Sequence, residues 1–166
     1  MRIRGITMDV VVNIAMLATC AVVAVAVVSR WQRARPAEPQ APIAVGDRAE
    51  GLPSVNYARA DSTIVLYLRS SCHYCAASMP FYRRLADEAV KHEIQVVAAS
   101  AEPVEVFESY LTSSKLHVAQ AVSFTGRVRG TPTVVFVNRA GTVTRVLVGQ
   151  QTEDVEAQVV AAVRGS

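Results

Sequence analysis

The chain has 166 residues, enough for one ordinary domain and an appendage. Hydrophobic residues make up 51% and charged residues 19%, which excludes a disordered chain, and three cysteines exclude a disulfide-built miniprotein. The formal charge of +3 lies entirely in the first 42 residues, where Arg2, Arg4, Arg30, Arg33 and Arg35 outnumber Asp9 and Glu38. Residues 43–166 carry twelve basic and twelve acidic side chains, so that part has no net field to attract phosphates and no nucleic-acid partner is expected.

After a polar flank at residues 1–9, the nineteen residues 10–28 carry no charge. As a helix they would be roughly 28 Å long, close to the ~30 Å hydrocarbon thickness of a bilayer. Arginines stand at both ends, and Trp31 is placed for the interface. A terminal helix apolar all round has no core to join, which disfavours a soluble role. Ala24-Val25-Ala26 fits a signal-peptide cleavage pattern, but the apolar run continues through Val28, which favours an uncleaved anchor in the lipid bilayer. Arginines on both sides leave its orientation open. Residues 29–42 form an arginine- and proline-rich linker, with three prolines between Arg35 and Pro42. A domain over 43–166 follows.

Within it, residues 63–69 (TIVLYLR) read as a strand buried on both faces, with Ser71 as the N-cap of a helix running to about Lys91. Residues 95–100 form a second strand. Pro103 is expected as the first residue of a helix carrying Val104, Phe107, Tyr110 and Leu111. Residues 133–138 and 142–148 flank a turn at Gly141 and read as a hairpin. A last helix is capped by Thr152, carries Glu153, Asp154 and Glu156 in its first turn, and turns Val155, Val159, Ala162 and Val163 inward. The order β-α-β-α-β-β-α predicts an α/β fold, a central mixed sheet flanked by helices.

Cys72-His73-Tyr74-Cys75 falls where the first strand meets the first helix. A thiolate is the nucleophile in disulfide exchange, and unpaired N–H groups at a helix start stabilise one there. Cys72 is thus the candidate attacking residue, and Cys75 lies within reach to close a disulfide with it. A protonated His73 and the nearby Arg69 would add positive charge. Tyr74 either contacts substrate or covers the disulfide. A structural zinc site lacks ligands, since the chain has no second cysteine pair and only His73, His92 and His117. His92 and His117 read as surface residues, and Cys20 as a small apolar residue of the anchor.

Pro80 should kink the first helix, and Gly130-Thr131-Pro132-Thr133 runs into the hairpin. With the strand–CxxC–helix unit, these features resemble the thioredoxin superfamily. The anchor, Val45-Gly46-Asp47, Met79-Pro80-Phe81 and Asn138-Arg139-Ala140-Gly141 are similar to its TlpA/ResA group of membrane-tethered bacterial oxidoreductases. The resemblance covers about residues 44–164. It implies a thioredoxin-like fold, Cys72 attacking, Cys75 resolving, and Pro132 as a cis-proline facing the pair. Thr131 would then pair its backbone with a substrate peptide. No cofactor and no metal are implied.

The expected partners are client proteins with disulfides and a membrane or soluble thiol donor, with the catalytic domain on the periplasmic or outer side of a bacterial cytoplasmic membrane. A reducing to intermediate potential is expected, because His73 occupies the first intervening position of the motif. Ser70-Ser71 stand where the family carries an aromatic residue, and Ile64, Val65 and Leu66 where a buried acid would be. Glu102 or Glu105 is left as candidate proton acceptor for Cys75. A copper or haem-assembly metallochaperone using both thiols with His117, and a peroxide reductase, are the competing functions.

Overall fold

The computed structural model describes residues 6–33, 41–49, 52, 54–124, 126 and 128–165. The chain divides into two compact units, Met1–Pro39 and Gln40–Ser166. The first contains helix α1, Ile6–Arg33. Its stretch Val10–Arg30 has a mean hydropathy of 2.6 and no buried share, and is long and apolar enough to cross a membrane or to serve as a signal sequence. Within it Thr19 donates to the Ala15 carbonyl at 2.8 Å and Ser29 to that of Ala26 at 3.0 Å. Arg2, Arg4 and most of the proline-rich linker, like the side chains of Trp31 and Arg33, lie outside the described residues.

The second unit is built on a five-stranded sheet in the order β3-β2-β1-β4-β5. The strands are β1 Ser62–Tyr67, β2 Gln95–Ser100, β3 Gln120–Ser123, β4 Thr133–Asn138 and β5 Val143–Val148. β1, β2 and β3 run parallel, while β4 and β5 are antiparallel to their neighbours, so the sheet is mixed as expected. β1 is central, with Val65 opposite Val97 on one side and Val135 on the other.

Alternation sends successive side chains to two separate cores. Ile64, Leu66, Val96, Ala98 and Val134 face one, Val65, Tyr67, Val97, Ala99, Val135 and Val137 the other. The first core is closed by helices α3 (Met79–Lys91), α4 (Val104–Ser113) and α5 (Glu153–Arg164) through Phe81, Leu85, Phe107, Leu111, Val159 and Val163. Both parallel crossovers move the chain toward the same sheet edge, so right-handed connections put α3 and α4 on one face. Among the described residues, no helix of that length closes the second core. Ala49, Leu52, Val55, Tyr57, Phe124 and Val128 cover it from irregular segments and one 3-10 turn, Tyr57–Arg59.

Several sequence expectations are corrected. β3 was not anticipated; it is a four-residue edge strand with one buried side chain, too short to show a period. β1 ends at Tyr67 and not at Arg69, because the chain turns there, with the Cys72 N–H returning to the Arg69 carbonyl at 3.1 Å. The first helix is two: α2 (His73–Ala77), capped by Cys72 and not Ser71, and α3. Pro80, which lacks an N–H, occupies the first turn of α3, so the expected kink is a break at Ser78. Pro103 is the N-cap of α4, with ψ at 138° where a helical residue is negative. On α5, Ala162 faces outward and Val160 joins Val155, Val159 and Val163 at the core.

The hairpin turns at Asn138, whose side-chain oxygen accepts the N–H groups of Ala140 at 3.0 Å and Thr142 at 2.9 Å, with Gly141 at φ +78°. The Val45-Gly46-Asp47 stretch lies along its outer edge. Gly46 donates to the Val143 carbonyl at 2.8 Å, and Val143 donates back to Asp47 at 2.8 Å.

Candidate active site

Cys72 leaves the carboxyl end of β1 with extended backbone, φ −88° and ψ 114°, which presents its sulfur to the amide groups ahead of it. Sγ accepts the Cys75 N–H at 3.3 Å and donates to the Thr131 carbonyl at 3.3 Å. Cys72 is partly exposed, whereas Cys75 is fully buried in the core beside α3. Both are free thiols.

Their acidities move in opposite directions. Partial burial opposes ionisation of Cys72, but donors from the Cys75 thiol, the Thr131 side chain and the N–H groups of Cys75 and Tyr74 outweigh it and hold its pKa below the ordinary value. Burial, with the bond to Cys72 next, pushes the Cys75 thiol up to about 12. The expected N–H groups at the helix start, those of Cys75 and Tyr74, are among the donors to Cys72. Hydrogen-bond donors dominate at Cys72, and neither His73 nor Arg69 is among them.

His73 is exposed and meets the Tyr74 ring edge-on at 5.7 Å. Tyr74 is 59% exposed, so it does not seal the pair from solvent. The Thr131–Pro132 peptide bond is cis. Pro132 is buried and Thr131 half-buried. The loop is held at both ends: Thr133 Oγ1 donates to the Gly130 carbonyl at 2.8 Å, and the Gly149 N–H to that of Pro132 at 2.7 Å. Gly149 sits at φ +81°, a conformation a β-carbon disfavours. Cys72, Cys75 and Thr131 are thus brought together, with His73 and Tyr74 on the exposed rim.

A family model of the thioredoxin-like domain matches residues 55–164. The chain belongs to that family. No curated protein matches the sequence. Solved structures share the fold at low identity. A thioredoxin-family thiol:disulfide interchange protein from Chlorobium tepidum is 18% identical, with a TM-score of 0.53 over 78% of this chain and 99% of that one. A thiol-disulfide isomerase from Corynebacterium glutamicum is 15% identical, with a TM-score of 0.53 over 81% and 99%. StoA from Bacillus subtilis is 19% identical, with a TM-score of 0.50 over 76% and 98%. A thioredoxin-like domain carrying this half-exposed and buried thiol pair is a thiol–disulfide oxidoreductase.

The thioredoxin-like site also contains contacts that the sequence did not reveal. Glu102 Oε2 accepts the Ser70 N–H at 2.8 Å and the Ser100 hydroxyl at 3.1 Å, while Oε1 accepts the Ser70 hydroxyl at 2.6 Å. Partial burial works against these bonds, but with Arg69 nearby they hold the carboxyl below the usual carboxylate range. Glu102 is therefore a clamp on the loop before Cys72 rather than a free base, and Glu105 is exposed in the first turn of α4. Tyr82 and Tyr110 are kept protonated by burial, with the cysteines close enough to add to the effect.

His117 lines a different cavity, with Glu108, Thr112 and Gln120, and does not join the cysteines. His92 is half-buried and faces Glu88 at 3.5 Å. Among the described residues, no three His, Cys, Asp or Glu side chains converge in a metal-binding group.

Proposed function

We propose that this thioredoxin-like protein is a membrane-anchored reductant of client disulfides, acting through Cys72 and Cys75. Residues 10–28 hold it in the bilayer after a short flank at 1–9, residues 29–42 act as spacer, and the domain from 43 to 166 works on the periplasmic or outer face of a bacterial cytoplasmic membrane, as in the TlpA/ResA group. The reading rests on the opposed acidities of the two thiols, one lowered at the surface and one raised in the core.

The steps follow from that asymmetry. The Cys72 thiolate attacks one sulfur of a client disulfide, and the client's second sulfur leaves as a thiolate. The backbone of Thr131, ahead of cis-Pro132, is placed to align the client chain, with Tyr74 and His73 flanking it. Cys75 then gives its proton to the departed client thiolate and attacks Cys72 Sγ, forming the Cys72–Cys75 disulfide and releasing the first client sulfur. Two electrons pass to the client. A separate thiol donor must reduce the resulting pair, and no bound cofactor takes part.

Cys75→Ala should accumulate mixed disulfides through Cys72, identified by mass spectrometry, and the reduced wild type should reduce insulin. Absence of both, together with stoichiometric copper binding or peroxide consumption, would favour the metallochaperone or peroxide-reductase reading. A reporter fused after Ser166 tests sidedness, and activity confined to the cytoplasm would refute the periplasmic assignment.

A further inference from the structure

The two edges of the sheet are finished differently. β5 is covered at its start, where Gly46 and Asp47 exchange backbone bonds with Val143. β3 forms the other edge, and among the described residues no strand pairs with its outer side. The Ala119 N–H turns inward to the Val96 carbonyl at 2.8 Å. The two-residue period of a strand therefore turns the backbone N–H and C=O groups of Gln120 and Val122 outward. Edges are commonly guarded by charged side chains or proline, and Gln120-Ala121-Val122-Ser123 carries neither.

A groove of about 530 Å³ opens beside that edge, between α4 and the chain from Leu116 to Ala121. Leu111 and Leu116, each 4% exposed, give it an apolar floor. Ala121 is the β3 residue on the α4 side, and its small side chain leaves the groove open toward the edge. Thr112, His117 and Gln120 make the rim polar. Among the described lining residues Glu108 is the only acid, and no lysine or arginine opposes it. Glu105, one turn earlier on α4, is also exposed. An apolar floor with a carboxylate at the rim suits a lysine or arginine, whose methylene stem lies on the leucines while its charged end reaches Glu108.

We propose that an extended segment of a partner protein adds to β3 as a further strand and places a Lys or Arg side chain in this groove. Backbone bonds to Gln120 and Val122 supply the grip, while the groove and Glu108 supply the choice of side chain. Alternate residues of an added strand face α4, so one side chain in two meets the groove. This surface goes beyond the reductase reading. It shares no lining residue with the cysteine site, and it holds a partner by its backbone whatever the redox state of Cys72.

The test uses the full chain in detergent and short fluorescent peptides rich in Val and Thr, with a central Lys, Ala or Glu. The Lys peptide should bind about fivefold or more tightly than the Glu peptide. It should also slow amide exchange at Gln120 and Val122. Glu108→Lys, at an exposed position, should reverse the order of the peptides and leave thermal unfolding unchanged. N-methylation of every second amide of the Lys peptide should abolish binding in one frame and spare it in the other, because only alternate N–H groups face β3. This second reading needs no variant of the protein. An order unchanged in Glu108→Lys, equal binding of the two methylated frames, or no binding at about 1 mM peptide overturns the proposal. Exchange at Gln120 and Val122 that slows with protein concentration, and not with peptide, overturns it in favour of a second copy at the edge.

Discussion

Glu102 grips Ser70 twice across 32 residues of sequence, taking its backbone N–H on one carboxylate oxygen and its hydroxyl on the other. Ser70 is two residues before Cys72, so this contact ties the end of β2 to the loop that presents the sulfur. Glu102→Ala should destabilise the fold by about 1–3 kcal/mol, the range for stranding a donor in a half-buried place. It should also move the Cys72 thiolate titration, because the loop loses its tether. Glu102→Gln, which keeps an acceptor, should restore part of both. The Glu102 pKa is lowered in the fold, so its contribution is present above the unfolded value of about 4.3 and disappears as pH falls through the folded one. Wild type and Glu102→Ala should therefore converge in stability in acid. Denaturant titrations at neutral and acid pH check this, and a constant difference would dismiss the carboxylate's role.

The anchor gives a separate outcome. Val10–Arg30 has no buried share in its unit, at a hydropathy that favours lipid. Full-length protein should partition with membranes and resist carbonate and high salt, and a chain lacking residues 1–35 should not. A mature native protein beginning near Val27 would show the helix to be a cleaved signal.

Legibility of the sequence varied with how local each feature is. The long apolar strands and the amphipathic α3 and α5 could be read because burial on one element leaves a period in that element. β3 left none: Gln120–Ser123 pairs only with β2 and buries only Val122. The cap moved from Ser71 to Cys72 because sulfur, here the N–H acceptor, is rarely weighed as a capping atom. The motif cysteines were visible from spacing and position. The Glu102 clamp was not, since its partners Ser70 and Ser100 meet it only once β1 and β2 are paired. Equally hidden was the division of labour between the faces, because a strand buried on both sides does not say whether a helix or a loop covers it.

That division predicts unequal sensitivity along α3. Leu85 is fully buried against the helix-covered core, and Val90 on the same helix is 71% exposed. Leu85→Ala should cost about 2–5 kcal/mol, while Val90→Ala should stay within about 0.5 kcal/mol. Urea denaturation separates them, and similar losses at both positions would mean that α3 packs differently from the structure.

The paired acidities govern how the redox potential follows pH. With both thiols protonated, reduction takes up two electrons and two protons, and the potential falls by about 59 mV per pH unit. Once Cys72 ionises only one proton is taken up, and the slope halves to about 30 mV. The break should lie below the free-thiol value of about 8.5, because donors around Sγ favour the thiolate. The Cys75 thiol, pushed up to about 12, should give no break in the working range. Stabilising the thiolate stabilises the reduced form and raises the potential. At Cys72, however, burial opposes the donors around the sulfur. The expected potential lies between about −270 and −180 mV, from thioredoxin to protein disulfide isomerase. Equilibration with glutathione across a pH series measures slope and position together. A value near the strongly oxidising limit of about −120 mV, with the halved slope already present in acid, would make the protein a disulfide donor instead.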